Sequence, residues 1–181
     1  MASYHTYHDD RDQRIRALEA ENARLRHNTY LQMLNSAGLL HAIDHLPAGR
    51  YVLVFADVDQ MKAINTATGS HDATDRHLAA GLKVRDNELA GQLRGDEIAF
   101  ILEEATNAPA FIARIGAQLR RQRLDPAARR SLLLATGRPH ITVTAAWRAG
   151  VCPREMRAVL DELSIEVLAM KAARDAVGPR C

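Results

Sequence analysis

Two adjacent carboxylates, Asp96 and Glu97, stand in the pentapeptide Arg94-Gly95-Asp96-Glu97-Ile98, with Leu93 before it and Ala99-Phe100-Ile101-Leu102 after it. A glycine-bearing turn between two short apolar runs reads as a strand-turn-strand unit that presents polar side chains at the end of a sheet. Upstream, a second apolar run, Tyr51-Val52-Leu53-Val54-Phe55-Ala56, ends in Asp57-Val58-Asp59. If the two strands are neighbours, Asp57 and Asp96 converge on one divalent cation. Hard oxygen ligands of this kind suit Mg²⁺ or Mn²⁺ bound together with substrate phosphates. The bland alternative for an Asp-Glu pair is ordinary turn chemistry.

The elements that must position these groups read as an alternation. The pattern predicts a helix over residues 31–45, ending before Pro47-Ala48-Gly49, then a strand over 50–56. A helix from Gln60 stops by Gly69, and a short helix covers 73–83. A strand over 88–93, the turn 94–96 and a strand over 97–102 follow. Then come a helix over 108–123, a strand over 141–148 and a closing helix over 153–177, with Pro153 in its first turn and Gly178 after it. Strands alternating with helices argue an α/β or α+β sheet with helices on one or both faces. Trp147 is expected in core or sheet packing.

Further residues carry the reading beyond periodicity. Asp57-Val58-Asp59-Gln60-Met61-Lys62-Ala63-Ile64-Asn65, followed by Gly69, resembles the D-x-D-x-F-K-x-I-N…G segment of the GGDEF family of diguanylate cyclases, with Met61 in the Phe place. The turn at Arg94 then resembles the family's signature, as RGDEI. Residues 28–39 resemble a worn form of its opening motif, with Asn35 kept. The stretch Ile141-Thr142-Val143-Thr144-Ala145-Ala146 resembles its late strand. Ala169-Met170-Lys171-Ala172-Ala173-Arg174 resembles its terminal A-M-Y-x-A-K. These matches run in the family's order.

The resemblance implies a palm-like central sheet flanked by helices, and a reaction joining two GTP molecules into cyclic di-GMP, or a related cyclic dinucleotide, with Mg²⁺ or Mn²⁺. By the same resemblance Asp57, the Val58 carbonyl and Asp96 hold metal, and Glu97 supports metal binding and activation of the attacking hydroxyl. Met61 (through its backbone) and Lys62 face phosphates, Asn65 reads guanine, and Arg174 replaces a phosphate-binding Lys. The next family cation falls on Gly178, with Arg180 nearby. In the signature, Arg94 replaces a glycine that lets substrate approach the backbone, and Gly95 keeps the second. The second guanine-reading position falls on Thr74, with Asp75 one place late. The family's product-inhibition motif reads Arg85-Asp86-Asn87-Glu88, a degenerate site with Arg85 and Glu88 at its ends.

The 181 residues suffice for one well-buried core. We expect a helix over 1–27 and a single domain over 28–181. Between Asp9 and Asn35 there is neither Gly nor Pro, and Ile15, Leu18, Asn22, Leu25 and Thr29 recur at coiled-coil spacing. Such a stalk would make a homodimer that brings two nucleotide-bearing heads together. Its alternative is an amphipathic helix packed on its own domain.

The net charge of +2 is near balance, so nucleic acid is not an expected partner. Arg120-Arg121-Gln122-Arg123 and Arg129-Arg130 read as solvated helix faces. Two cysteines give no disulfide framework, and no apolar run approaches a membrane span, which fits a soluble cytoplasmic protein. His41 and His45, four apart on a helix, lack a third ligand and suit an exposed or capping role. Two functions of different class follow: a cyclase, favoured by Asp57, Lys62, Asp96 and Glu97, or a catalytically degenerate module that binds nucleotide or a protein partner, favoured by Arg94 and Thr74.

Overall fold

The structure, a computed structural model, describes Arg14, residues 33–68, Leu78, residues 81–122, Leu124 and residues 126–176. The expected N-terminal helix, most of the short helix over 73–83, and Thr74, Asp75, Gly178 and Arg180 lie outside the described residues. Strands β1 (Tyr51–Val58), β2 (Leu89–Arg94), β3 (Glu97–Glu103) and β4 (Val143–Val151) form one sheet in the order β2-β3-β1-β4. Every neighbouring pair is antiparallel. The helices are α1 (Ser36–Asp44), α2 (Met61–Thr68), α3 (Ala108–Arg121), α4 (Pro126–Thr136) and α5 (Met156–Ala176).

β1 is central because its apolar run does not alternate; a strand covered on both faces needs apolar side chains on both. Its even-numbered residues Val52, Val54, Ala56 and Val58 pack with Ile98, Phe100 and Leu102 of β3 beneath Phe111, Ile115 and Leu119 of α3. Phe100 and Phe111 meet edge to face, with ring centroids 5.0 Å apart. The odd-numbered Leu53 and Phe55 pack with Ala99 and Ile101 beneath Leu39 and Ile43 of α1 and Leu160, Leu163 and Val167 of α5. Fully burying one such side chain contributes roughly 1.5–3 kcal/mol, so the two layers dominate the fold's stability. The period of two along β1 puts Asp57 in the odd row, on the face that α5 covers.

Several boundaries differ from those expected. α1 starts at Ser36, not at residue 31, because Asn35 caps it: the Asn35 side chain accepts from the Gly38 N–H at 2.9 Å. At the other end the His45 ring Nδ1 donates to the His41 carbonyl at 2.7 Å, so this histidine closes the helix. β1 runs to Val58, and the last strand begins at Val143 and runs to Val151. A 3-10 turn, Pro153–Glu155, precedes the final helix.

α4 has no counterpart in the pattern of the sequence. Of its consecutive leucines only Leu132 is buried, while Leu133 and Leu134 are 47% and 82% exposed, so no apolar stripe at helical spacing marks it. Arg120, Arg121, Arg129 and Arg130 lie exposed on α3 and α4, as solvated helix faces do. Trp147 lies on the edge strand β4 and stays 40% exposed, outside both core clusters. Among the described residues no helix is long and apolar enough to cross a membrane.

Glycine has a packing reason at one strand position. A Cβ on Gly91 would sit 2.7 Å from the Leu39 Cβ, so only glycine lets α1 lie this close to β2. A parallel bridge beside it, Leu34 N–H to the Ala90 carbonyl and Gln92 N–H to the Leu34 carbonyl, ties the entry of α1 to the hairpin strand.

Candidate functional site

The β2-β3 hairpin and the C-terminal end of β1 bring the expected carboxylates together. Asp57 and Glu97 are Cα partners across the β1-β3 pair. Both belong to the odd row, so two like charges stand side by side on the α5 face, an arrangement that destabilises unless a cation intervenes. Asp96 precedes Glu97 in the turn, and its carbonyl accepts from the Val58 N–H at 3.1 Å, closing the hairpin onto β1. Gly95 holds φ +43°, with open space where a Cβ would be. Arg94 ends β2, exposed and in register with Glu97.

A cation does intervene, and it comes from α5. The Lys171 ammonium pairs with Asp57 Oδ1 and also donates to the Val58 carbonyl at 3.0 Å. One helical turn on, Arg174 Nη1 lies 2.9 Å from Asp59 Oδ1. Thr142 and Thr144 of the β4 approach donate to the two oxygens of Asp59 at 2.7 and 2.6 Å, and Arg174 also donates to Thr144 Oγ1 at 3.1 Å. Asp57 and Asp59 are each only 6% exposed, so both carboxylates are buried and both are paired.

The sequence places these cations by simple periodicity. Met156, Leu160, Leu163 and Val167 form the buried stripe of α5. Steps of four and three from Val167 arrive at Lys171 and Arg174, where the apolar layer under the helix gives way to Asp57 and Asp59. Lys171, Thr142, Thr144 and the anchoring role of Asp59 escape a reading based on motif positions, although the stripe on α5 contains the signal.

The electrostatics follow from this packing. Burial pushes the Asp57 carboxyl up, with Asp96 and Asp59 adding repulsion and Lys171 opposing it. Burial also raises Glu97; Arg94 counters that, while Asp57 and Asp96 reinforce it. For Asp59, burial is outweighed by the hydrogen bonds from Thr144, Thr142 and Arg174, and the carboxyl is held below its usual range. Burial alone would lower Arg174, but Asp59 holds its guanidinium charged.

The remaining expected residues distribute around this centre. Gln60, at φ +56°, turns the chain sharply from β1 into α2. Met61 is half-buried against the core, Lys62 is exposed in the first turn of α2, and Asn65 is half-buried one turn later. Arg85 and Glu88 sit at the far end of β2, about 20 Å of extended strand from the turn. There the Glu88 carboxylate accepts from the Arg85 N–H at 2.9 Å and pairs with Arg114 of α3 at 2.5 Å, so it fastens the strand entry to a helix.

The donor set between Asp57 and the Val58 carbonyl fits a cation, since the Lys171 ammonium stands in for one there. Carboxylate and carbonyl oxygens are also the ligands that Mg²⁺ and Mn²⁺ prefer. Among the described residues no three His, Cys, Asp or Glu side chains are grouped to hold a metal ion, so the arrangement as it stands is completed by the ammonium.

Known proteins share both the family and the fold. The family model for the diguanylate cyclase GGDEF domain matches residues 32–146. No curated protein matches the chain. Among solved structures, the coiled coil and GGDEF domain of DgcB from Caulobacter crescentus, in complex with c-di-GMP, is similar over 94% of this chain and 95% of that one, at 17% identity and a TM-score of 0.63. The GGDEF domain of DgcB on its own, also with c-di-GMP, is similar over 82% and 89%, at 18% identity and a TM-score of 0.60. Diguanylate cyclase SiaD from Pseudomonas aeruginosa, in complex with its activator SiaC, is similar over 92% of this chain and 68% of that one, at 18% identity and a TM-score of 0.58. At such identities the likeness is one of fold, a four-stranded antiparallel sheet with helices on both faces.

Proposed function

The chain belongs to the GGDEF domain family of diguanylate cyclases, and from that premise we propose that it is a nucleotidyltransferase that condenses two GTP, or related triphosphates, into a cyclic dinucleotide. The observation that carries this reading is that Asp57 and Glu97 are direct cross-strand partners beside Asp96 at one end of the sheet, where the Asp57 carboxylate and the Val58 carbonyl hold a cation, the Lys171 ammonium. Asp57, the Val58 carbonyl and Asp96 would hold Mg²⁺ or Mn²⁺. When bound, the ion neutralises the triphosphate and lowers the pKa of the attacking 3′-hydroxyl.

The chain's own groups would do the rest. Glu97, whose carboxyl burial raises above its ordinary value, is suited to accept the hydroxyl proton. Lys62 offers an exposed charge to phosphates, and Arg174, anchored by Asp59, offers a second whose direction is fixed. Asn65 can donate to and accept from a base edge, with Thr74 and Asp75 as the further base contacts. Gly95 gives substrate close access to the turn, and Arg94 adds a cation beside it. Arg85 and Glu88 would form at most a degenerate inhibitory site, since Glu88 is already engaged.

Condensation of two nucleotides asks for two heads, and we assign their pairing to the coiled-coil pattern that the sequence carries N-terminal to the domain. We assign the protein to the cytoplasm, where GTP is available and where two cysteines without a disulfide framework are kept reduced.

A second reading, a degenerate module that binds nucleotide or a protein partner, is favoured by Lys171 standing between the first metal ligands and by Arg94 in the turn. Mass spectrometry of products formed from GTP, then mixed triphosphates, with Mg²⁺ or Mn²⁺ separates the two. A cyclic dinucleotide lost in Asp96→Ala supports the cyclase. No product at concentrations where the dimer forms supports the module.

A further inference from the structure

The pairing of Lys171 has a consequence for the metal site itself. A-M-K-A-A-R at 169–174 carries Lys where the family's terminal A-M-Y-x-A-K carries an aromatic residue, and the structure shows where that extra charge goes. The ammonium bonds at once to the Asp57 carboxylate and the Val58 carbonyl, and its side chain is only 16% exposed. These two oxygens are also the hard donors at the end of β1. A metal ion and the ammonium compete for them, because two cations held a few ångströms apart on one carboxylate and one carbonyl repel each other.

We propose that Lys171 is a tethered counter-cation that competes with divalent metal for the oxygens of Asp57 and Val58, so that metal enters only when the ammonium withdraws. The competition is strong for a geometric reason. Lys171 is delivered by the buried stripe of α5, whose preceding members Leu163 and Val167 are fully buried, so its effective concentration at the site is high and its stem is held. Withdrawal leaves an ammonium that needs a new partner, and the phosphates of an incoming nucleotide are suitable ones. Metal and triphosphate would then bind together, each weakly alone.

This inference deepens the proposed metal role and rests on that reading for the site's identity, but its test is independent of turnover. Mn²⁺ binding to the purified full chain is measured by electron paramagnetic resonance of the free ion, without nucleotide. Lys171→Met, with a similar stem and no charge, is expected to bind Mn²⁺ at least about tenfold more tightly than the wild type. Lys171→Gln should do the same, Lys171→Arg should stay weak, and Asp57→Asn added to Lys171→Met should remove the gain.

Equal Mn²⁺ affinity in wild type and folded Lys171→Met overturns the proposal. Where both neutral variants fail to fold, wild-type protein decides through acylation of Lys171 followed by peptide mass spectrometry. Labelling that rises with Mn²⁺ supports displacement, and labelling unchanged at millimolar Mn²⁺ overturns it. A chain that makes no cyclic dinucleotide yet shows the tightened Mn²⁺ binding sinks the cyclase reading and leaves the competition standing.

Discussion

Asp57 on β1 and Glu97 on β3 face each other as direct cross-strand partners at the edge of the core, two carboxylates in a register where like charges repel. Both carboxyls are raised, first by burial, so the folded state holds protons that the unfolded chain releases. A raised acid penalises folding above its folded pKa, and the penalty fades as pH falls toward the ordinary value of 4.5 for Glu97. Glu97→Gln is therefore expected to stabilise the protein at pH 7 by a few tenths to about 1 kcal/mol, raising Tm by about 1–3 °C. Near pH 4 the gain should vanish. Thermal melts of both proteins at the two pH values check this; an equal Tm difference at both would contradict the assignment.

Asp59 has the opposite sign. Thr144, Thr142 and Arg174 hold its carboxyl below the ordinary value of 3.8, so its pairing contributes stability that is present above that value and lost as pH falls through the lower, folded one. Arg174→Ala leaves a buried carboxylate with only hydroxyl donors, and it should cost about 1–3 kcal/mol in urea unfolding at pH 7. The cost stays below that of breaking a fully buried pair because the Arg174 side chain is 34% exposed. Arg174→Lys should recover part of the loss. The difference between wild type and Arg174→Ala should shrink below pH 3.8.

Gly91→Ala tests how α1 is seated. Its new Cβ would meet the Leu39 Cβ at 2.7 Å, a backbone-anchored neighbour that cannot swing aside. Overpacking of this kind costs about 1–3 kcal/mol. Leu39→Ala leaves that Cβ in place but removes the branches that Gly91 also approaches at 3.0 Å, so the double variant should be less destabilised than the sum of the singles. Denaturant unfolding of the four proteins gives the cycle, and strict additivity would show that the two residues do not share this contact.

Much of the fold is legible in the sequence because its decisive segments are short and strongly patterned. The unbroken apolar run before Asp57 marks a central strand, and Gly95 between two apolar runs marks the hairpin. The carboxylates follow from these two facts and from the family's motif order. α4 is not legible, since Leu132, Leu133 and Leu134 together show no face and only one of them is buried. Lys171 is missed for a different reason: motif comparison directs attention to Arg174, the matched cation, and passes over the departure three residues earlier. The periodicity of α5 carries that information, but it becomes chemical only when the partner under the helix is known to be Asp57 rather than another leucine. Glu88 likewise reads as a Glu in the Asp place of a degenerate inhibitory motif, whereas the fold engages it with Arg114.

Arg94 gives the last prediction, and it turns on charge. In register with Glu97 and exposed at the end of β2, it pulls the Glu97 carboxyl down, more than Lys171 does, against burial and against Asp57 and Asp96. Arg94→Gly restores the glycine of the family's signature and removes that attraction, so Glu97 should titrate at a higher pH than in the wild type. Carbon-detected NMR of the Glu97 carboxyl gives the titration directly, whether or not the protein turns over. Arg94→Lys, which keeps the charge, should leave it near the wild-type position. If cyclic dinucleotide is made, the acidic limb of kcat/KM should move upward with Arg94→Gly in the same direction as the carboxyl, because the proton acceptor must be ionised to act. A titration that stays in place in Arg94→Gly would mean that solvent already screens the arginine, and the substitution in the turn would then act on nucleotide access alone.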